Sequence, residues 1–342
     1  MPRVRKSVRK SVRKPSVAKA RPKKHRHTEH KSKLVAAGIR AQTVLPGWLS
    51  SPAWVTRLSK RDADRVDPAL VAKFAREFGI DYGRATLCRP SDSLHACAAR
   101  YGSLNAFFQR RERGISVAAD AWLSSPSTGM AVLFRSFPAA GVWVKGRRWS
   151  LGRLVSLANA NANAAGNNGG PTRVMIVRLR PSDYHRFHAP FSGQITAVRD
   201  IKGGYLSVDP LVVRSKDVLT ENHRVVFEVA VDILQARAFV VAVGAAIIGQ
   251  VISSLKVGDR IERGQDMGTF GFGGSTVVVV WPGGGVLRED LLTASAGKRE
   301  TYVTVGESVG PTGANAVAEM LNQVANRRRA HLLTPPATSF QS

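Results

Sequence analysis

The stretch Gly271-Phe272-Gly273-Gly274-Ser275-Thr276-Val277-Val278-Val279-Val280-Trp281 sets three glycines and a serine directly against a run of four valines and a tryptophan. Branched and aromatic side chains suit the pleated surface of a sheet and crowd the preceding turn of a helix, so residues 277–281 read as a strand. The glycines before it have two readings. They can form only a turn or a bulge. Alternatively, Gly-Gly leaves the Gly274 carbonyl sterically open and its backbone free to strain, and Ser275 supplies a hydroxyl that can attack that carbonyl. Such an arrangement suits cleavage of the chain by itself, and it needs a base, most often a histidine, to take the serine proton.

Further out, short β-rich runs separated by glycines recur at 132–134, 142–144, 174–179, 225–231, 239–243 and 247–252. The longest uncharged run, 238–255, is 18 residues and touches the lower limit for a membrane span. It carries Gly244, Gly249, Gln250, Ser253 and Ser254 among branched residues, which predicts two buried strands joined near the glycines. Before residue 114 the character is helical. Asp67-Pro68 provides an N-cap with proline at the first helical position, and Leu70, Val71, Phe74 and Phe78 follow at helical spacing until Gly79. Ser103 can cap a second turn whose Phe107 and Phe108 can dock. Leu45-Pro46-Gly47-Trp48-Leu49 with Trp54-Val55 reads as core, and residues 158–170, rich in Asn, Ala and Gly, as a surface loop.

Of eight histidines, His25, His27 and His30 lie in a basic tail, while His185 and His188 stand three apart in Asp183-Tyr184-His185-Arg186-Phe187-His188. A metal site there would need a third or fourth ligand, and no nearby cluster offers one. By spacing alone, a structural and an acid/base role stay equally open.

The chain has 342 residues and is 44% hydrophobic, enough for a core of one large or two smaller domains, which excludes global disorder. Its net charge is +27. Residues 1–33 hold 14 Lys or Arg against Glu29 alone, repeat the unit Val-Arg-Lys-Ser, and contain too few large apolar residues to fold alone. Such a tail suits a polyanionic surface, either phospholipid headgroups or nucleic acid. Cys88 and Cys97 cannot build a disulfide framework for this length, and with no signal peptide expected, a reducing compartment is the default.

The run 178–188, Arg-Leu-Arg-Pro-Ser-Asp-Tyr-His-Arg-Phe-His, followed by Pro190 and Ser192-Gly193, closely resembles the signature of the phosphatidylserine decarboxylase family. Other segments fit the same family in the same order. They are 104–110, Val144-Lys145-Gly146 with Trp149-Ser150-Leu151, 205–210, 218–224, Val243-Gly244-Ala245 with Ile248-Gly249, 264–268, the Gly-Gly-Ser-Thr site, and Glu300-Thr301 with Val305-Gly306-Glu307. The resemblance spans about residues 66–310.

It implies a pyruvoyl enzyme made from its own chain. Ser275 would attack Gly274, and cleavage would leave residues 1–274 and a 68-residue fragment whose first residue, Ser275, has become a pyruvoyl group. That ketone would form a Schiff base with the substrate amine and act as electron sink while phosphatidylserine loses CO₂ to give phosphatidylethanolamine, with no metal. By the same resemblance His188 is the base for self-cleavage, His185 the proton donor in decarboxylation, and the protein a homodimer. The implied fold is α+β, with N-terminal helices packed on a mostly antiparallel β core. The expected organisation is a polybasic tail over 1–43, a helical region over 44–118, a β-rich catalytic domain over 119–325, and a flexible tail over 326–342.

One departure stands out. Where the family has Ser-Pro-x-Asp-Gly, whose Asp orients the processing histidine, this chain has Ser125-Pro126-Ser127-Thr128-Gly129. Loss of an orienting carboxylate costs about 10⁴-fold in serine proteases. Thr128 or Ser127 can offer a neutral hydrogen bond instead, and Asp120 and Asp183 are candidate replacements. Active self-processing is expected, since maturation happens once per molecule. The charge pattern predicts peripheral attachment of an intracellular protein to anionic membrane through the tail, nucleic acid being the rival polyanion. The alternatives are a decarboxylase of a free amino acid and an uncleaved, inactive relative that binds anionic lipid.

Overall fold

The computed structural model describes residues 60–310, apart from 138–141, 145–146, 158–171, 208–211, 213–214, 248 and 284–285, together with 318, 321 and 322. The basic tail, the segment 45–55, Lys145-Gly146 and the Asn-rich tract 158–170 fall outside the described residues.

The first helix, α1 (Pro68–Glu77), starts where the cap predicted: the Asp67 carboxylate accepts from the Leu70 amide, and Pro68 follows. Its buried stripe is Val71, Ala72, Phe74 and Ala75, while Leu70, expected on that stripe, remains 36% exposed. A second helix, α2 (Leu94–Tyr101), is capped by Ser93, and a third, α3 (Leu104–Phe108), by Ser103, which accepts from the Ala106 amide. Phe107 and Phe108 bury completely with Val71, Phe74 and Tyr101 in one apolar cluster. Within it Cys88 and Cys97 are joined as a disulfide, a pairing that the default of a reducing compartment gave no reason to expect. The two residues are nine apart, and the packing of α2 brings their Cα atoms to 4.8 Å.

The rest is dominated by strands: β1 (Gly129–Phe137), β2 (Val142–Val144), β3 (Arg147–Trp149), β4 (Thr172–Leu179), β5 (Arg186–His188), β6 (Gly193–Ile201), β7 (Arg224–Val231), β8 (Ala236–Ile247), β9 (Val251–Ile252), β10 (Arg260–Ile261), β11 (Asp266–Phe270), β12 (Gly273–Pro282) and β13 (Thr301–Val303). Short helices α4 (Leu151–Val155), α5 (Val218–Glu221) and α6 (Glu289–Ala296) are interspersed. Eight strands form one antiparallel sheet in the order β10-β6-β7-β8-β12-β4-β1-β13, and β5-β11-β9 form a second. Helices on a mostly antiparallel sheet make this the α+β fold expected. The uncharged run 238–255 holds two strands either side of Gly249, whose φ is positive, but only β8 is buried as expected: β9 is two residues long, lies in the smaller sheet and leaves Ile252 exposed. Among the described residues no helix is long and apolar enough to cross a membrane.

Strand β12 lies near the middle of the large sheet, paired with β8 on one side and β4 on the other. Alternation sends Val277, Val279 and Trp281 into one apolar layer with Phe227, Val240, Val177 and Leu291. Val278 and Val280 enter a second layer with Val241, Phe239, Ile176 and Leu154 of α4. Burial on both faces is why the sequence here is continuously apolar rather than alternating. Trp281 is fully buried, its ring set edge-on to Trp122 at 6.4 Å. Trp281→Ala is therefore expected to destabilise the fold by about 3–5 kcal/mol, which urea unfolding would measure.

Candidate active site

Ser275 occupies the start of the buried part of β12, opposite Leu179 of β4 and Gly244 of β8, and is fully buried. The pairing with β8 slips between Gly273 and Ser275, so the glycine run is both a bulge and the approach to the serine. Gly273 has φ of 149°, which a side chain would resist. Gly244 is required for space, because a Cβ there would lie 1.8 Å from the Gly249 carbonyl oxygen.

The signature run supplies what surrounds Ser275. Beyond β4 the chain turns at Arg180–Asp183 and returns as β5, which pairs with β11. The His185 carbonyl accepts from the Phe270 amide (3.0 Å) and the Thr269 hydroxyl (3.1 Å), which fixes the backbone beneath the imidazole. Its Nδ1 lies 3.2 Å from Ser275 Oγ and its Nε2 lies 2.9 Å from the Arg180 carbonyl oxygen. A carbonyl can only accept, so Nε2 carries the hydrogen and Nδ1 offers its lone pair to the serine hydroxyl. Burial pushes the His185 imidazole down to about 3, which keeps it neutral and in base form.

His188 sits differently. Its Nδ1 donates to the Gly264 carbonyl (2.7 Å), and its Nε2 accepts from the Tyr184 hydroxyl (3.0 Å). The Gly264 carbonyl can only accept, so Nδ1 carries the hydrogen and Tyr184 is the donor to Nε2; burial lowers the His188 pKa and raises that of the Tyr184 phenol. The structure thus brings His185 to Ser275, and places His188 behind it with both nitrogens engaged.

The segment carrying Thr128 is adjacent, since the His188 amide donates to the Pro126 carbonyl at 2.7 Å. Thr128 Oγ1 accepts from the Val305 amide instead, and the buried Ser127 hydroxyl has no partner, so neither holds the imidazole. Asp120 is exposed, and the Asp183 carboxylate turns to Arg180, so among the described residues no carboxylate hydrogen-bonds the His188 imidazole, although Asp266 lies opposite it on β11 and acts on it through its charge.

The helical layer completes the site, with residues whose roles the sequence reading left unassigned. Phe108 of α3 stacks on His185, ring centroids 3.8 Å apart, and Phe272 meets Phe108 edge-on at 5.1 Å. The Asn105 side chain accepts from the Phe272 amide (2.9 Å) and donates to Asp64 (2.6 Å). Asn105 and Phe108 belong to the segment 104–110 that carried part of the resemblance, so the motif was visible while its contacts were not. No group of three or more His, Cys, Asp or Glu able to hold a metal occurs among the described residues.

With both histidines neutral, stability has a defined pH dependence. The unfolded chain binds protons below about 6.5 at these positions, and burial makes the folded chain bind them less readily, so stability falls as pH drops below 6.5, for His185 down towards 3, and is unaffected by them well above 6.5. Urea midpoints are expected to be level between pH 7 and 8 and to fall steadily below 6.

A buried hydroxyl facing a base-form imidazole, on the residue that directly follows a glycyl carbonyl, brings together the groups that a serine-dependent attack on the backbone needs. Comparison with known proteins gives this arrangement its family. The family model described as phosphatidylserine decarboxylase matches residues 104–311, and the chain belongs to that family. Phosphatidylserine decarboxylase proenzyme 2 of Saccharomyces cerevisiae is 32% identical over 267 residues, which cover 75% of this chain and 22% of the yeast protein. The proenzyme 2 of Oryza sativa is 37% identical over 177 residues, 51% of this chain and 27% of the rice protein. The proenzyme of Chlamydia trachomatis is 33% identical over 224 residues, 61% of this chain and 70% of the chlamydial one. The chain thus spans about a quarter or less of the fungal and plant relatives and most of the bacterial one.

Proposed function

We propose that the chain cleaves itself between Gly274 and Ser275 and then decarboxylates phosphatidylserine to phosphatidylethanolamine. The observation that carries this reading is the 3.2 Å contact of His185 Nδ1 with Ser275 Oγ at a bulged Gly-Gly-Ser strand entry. The relatives, named phosphatidylserine decarboxylase proenzymes, support the substrate and the maturation.

In the first step Ser275 Oγ adds to the Gly274 carbonyl carbon as its proton passes to a histidine, and the Ser275 nitrogen leaves with a proton, giving an ester. Removal of the Ser275 Cα hydrogen then expels the Gly274 carboxylate. Water hydrolyses the resulting enamine through its imine and releases ammonia, leaving a pyruvoyl end. The residues present fit that group: Ser275 is buried, its side is lined by side-chain-free Gly273, Gly274 and Gly244, and a neutral imidazole faces the atom to be converted. The pyruvoyl group supplies a ketone that joins the substrate amine and draws off the electron pair left when CO₂ departs. His185, already beside this position, moves the proton there. Phe108 shields it from water, and a tail of 14 Lys or Arg, each worth about 1 kcal/mol near an anionic surface, holds the protein at its substrate.

Intact-mass spectrometry under denaturing conditions tests the reading. The expected result is a 68-residue fragment lighter by one ammonia than a serine-initiated peptide, together with CO₂ release from phosphatidylserine and none from free serine. A single uncleaved chain after long incubation overturns it. Anchoring is read by liposome sedimentation: a chain starting at Leu45 is expected to lose binding to anionic vesicles that the whole chain retains.

A further inference from the structure

A third imidazole lies in the same cross-strand row as Ser275. Ser275 of β12 pairs with Gly244 of β8, and the Gly244 amide donates at 2.9 Å to the carbonyl of His223, the residue that leads into β7. Val225 and Phe227 belong to the layer that also takes Val277, so alternation puts the His223 side chain on the same face as that of Ser275. Gly244, between them, has no side chain, and the Gly249 carbonyl oxygen fills the space that its Cβ would need. His223, buried, reaches this oxygen: its Nδ1 lies 3.3 Å away, while its Nε2 lies 2.7 Å from Asp200 Oδ1 on β6. The turn so held borders the cleavage entry. Ile247 pairs with Gly273, and the Gln250 carbonyl accepts from the Gly271 amide at 2.8 Å.

We propose that His223, as an imidazolium held by Asp200, is a positioning residue: it pins the Gly249 turn over Gly244 and, through Ile247 and Gln250, keeps the Gly271–Ser275 entry in the geometry from which Ser275 attacks. Its bearing on cleavage rests on the function proposed above; its hold on the turn does not. Carbonyl and carboxylate oxygens only accept here, so both ring nitrogens must carry hydrogen for both contacts to hold. A neutral ring keeps one of the two. The charges that face the ring come from β6 and its end: Asp200, and Lys202, which donates to the other Asp200 oxygen at 2.6 Å. Lys202 and then His223 hold the Asp200 carboxyl below its usual range, so it stays ionised. The Tyr205 ring meets His223 edge-on at 6.0 Å. Arg224 turns to the carbonyls of Leu154, Arg153, Thr220 and Asn222, Glu221 is exposed at the end of α5, and residues 244–252 carry no charge. Asp200 itself is exposed, so the pair adds little to the stability of the whole fold and its effect is local. The sign separates this role from that of a base. Burial lowers the pKa of His185 and of His188, so either acting as base gives a rate that rises or stays level with pH, whereas loss of the second His223 proton gives one that falls.

The test has two readouts on the full chain, each taken from about pH 5 to 9 to bracket the range in which histidines titrate. The first uses the uncleaved Ser275→Ala chain with ¹⁵N-histidine, the His223 signals being assigned by their loss in His223→Gln. Both His223 nitrogens are expected to carry hydrogen at the acid end, and the protection of the Gly271 amide against hydrogen exchange to fall about tenfold as the second proton leaves. Asp200→Asn, at an exposed position, removes the carboxylate that favours the charged ring, so both changes are expected at lower pH. The second readout follows cleavage of the parent chain after cell-free synthesis and a shift of pH. Its rate is expected to fall about tenfold over the same interval. The fall is expected to move to lower pH in Asp200→Asn and to vanish in His223→Gln, which cleaves slowly throughout. A His223 ring that carries one hydrogen at every pH, or Gly271 protection that does not follow its titration, overturns the proposal. So does a cleavage rate with the same pH dependence in parent and His223→Gln. Failure of the parent to cleave counts against the proposed function instead and leaves the first readout to decide.

Discussion

Ser275→Ala is expected to leave one uncleaved chain with no decarboxylase activity, the largest effect of any single substitution. The alanine has no oxygen to add to Gly274, so neither the ester nor the ketone made from it can arise. The loss is of the whole activity rather than a factor in rate, because the group that does the chemistry is never formed. The fold is expected to survive: Ser275 is small and buried, and the change removes one hydroxyl contact to His185, worth about 1 kcal/mol. Intact mass and a CO₂ release assay on the same preparation check both halves. A cleaved Ser275→Ala chain would move the processing site elsewhere and remove the basis of the mechanism.

The second large effect belongs to His185. Its imidazole is the titratable group in contact with the reacting residue, so His185→Ala is expected to lower decarboxylation by about 10²–10⁴-fold, the range that positioned acid–base groups contribute. Activity within a factor of a few of the parent would remove His185 from the chemistry. The same variant separates two assignments of the processing base. Continued cleavage in His185→Ala with loss in His188→Ala gives the task to His188, as the family resemblance has it. It would require His188 to release the Tyr184 hydroxyl that now occupies its lone pair. Loss of cleavage in His185→Ala gives the task to His185, as the resting contact has it.

The cysteines carry a structural lesson. Among the described residues neither is free, and their pairing closes a loop in the layer from which Phe108 reaches His185. Nine residues of separation left the pairing open in the sequence, because chain length alone does not say whether two side chains converge.

Much of the architecture was legible where one interaction dominates locally. The caps at Asp67 and Ser103 and the valine run of β12 depend on short-range hydrogen bonding or on burial of both faces, and each leaves a mark within a few residues. Strands β6 and β11 escaped the reading. In β6 the polar residues Gln194 and Thr196 alternate with buried ones and the second half is only partly buried, while β11 is five residues long and contains Gly268. Helix α6 has no side-chain cap, which removes the usual start signal. At the site, the residue types and their spacing pointed to Ser275, His185, His188 and Gly274, and to the missing acid at Thr128.

The sequence by itself determined a basic, largely folded protein with helices ahead of a β-rich body, a Gly-Gly-Ser strand entry and a histidine pair collinear with one enzyme family. Those features are written in composition and order along the chain. Which imidazole meets the serine was decided only by the tertiary structure. His185 and His188 belong to the same short segment, and their difference arises from the turn at Arg180, the pairing of β5 with β11, and Tyr184 and Gly264 closing over one ring while Phe108 closes over the other. Tautomer and proton affinity follow from partners between 4 and 90 residues away, and no local pattern encodes such distances.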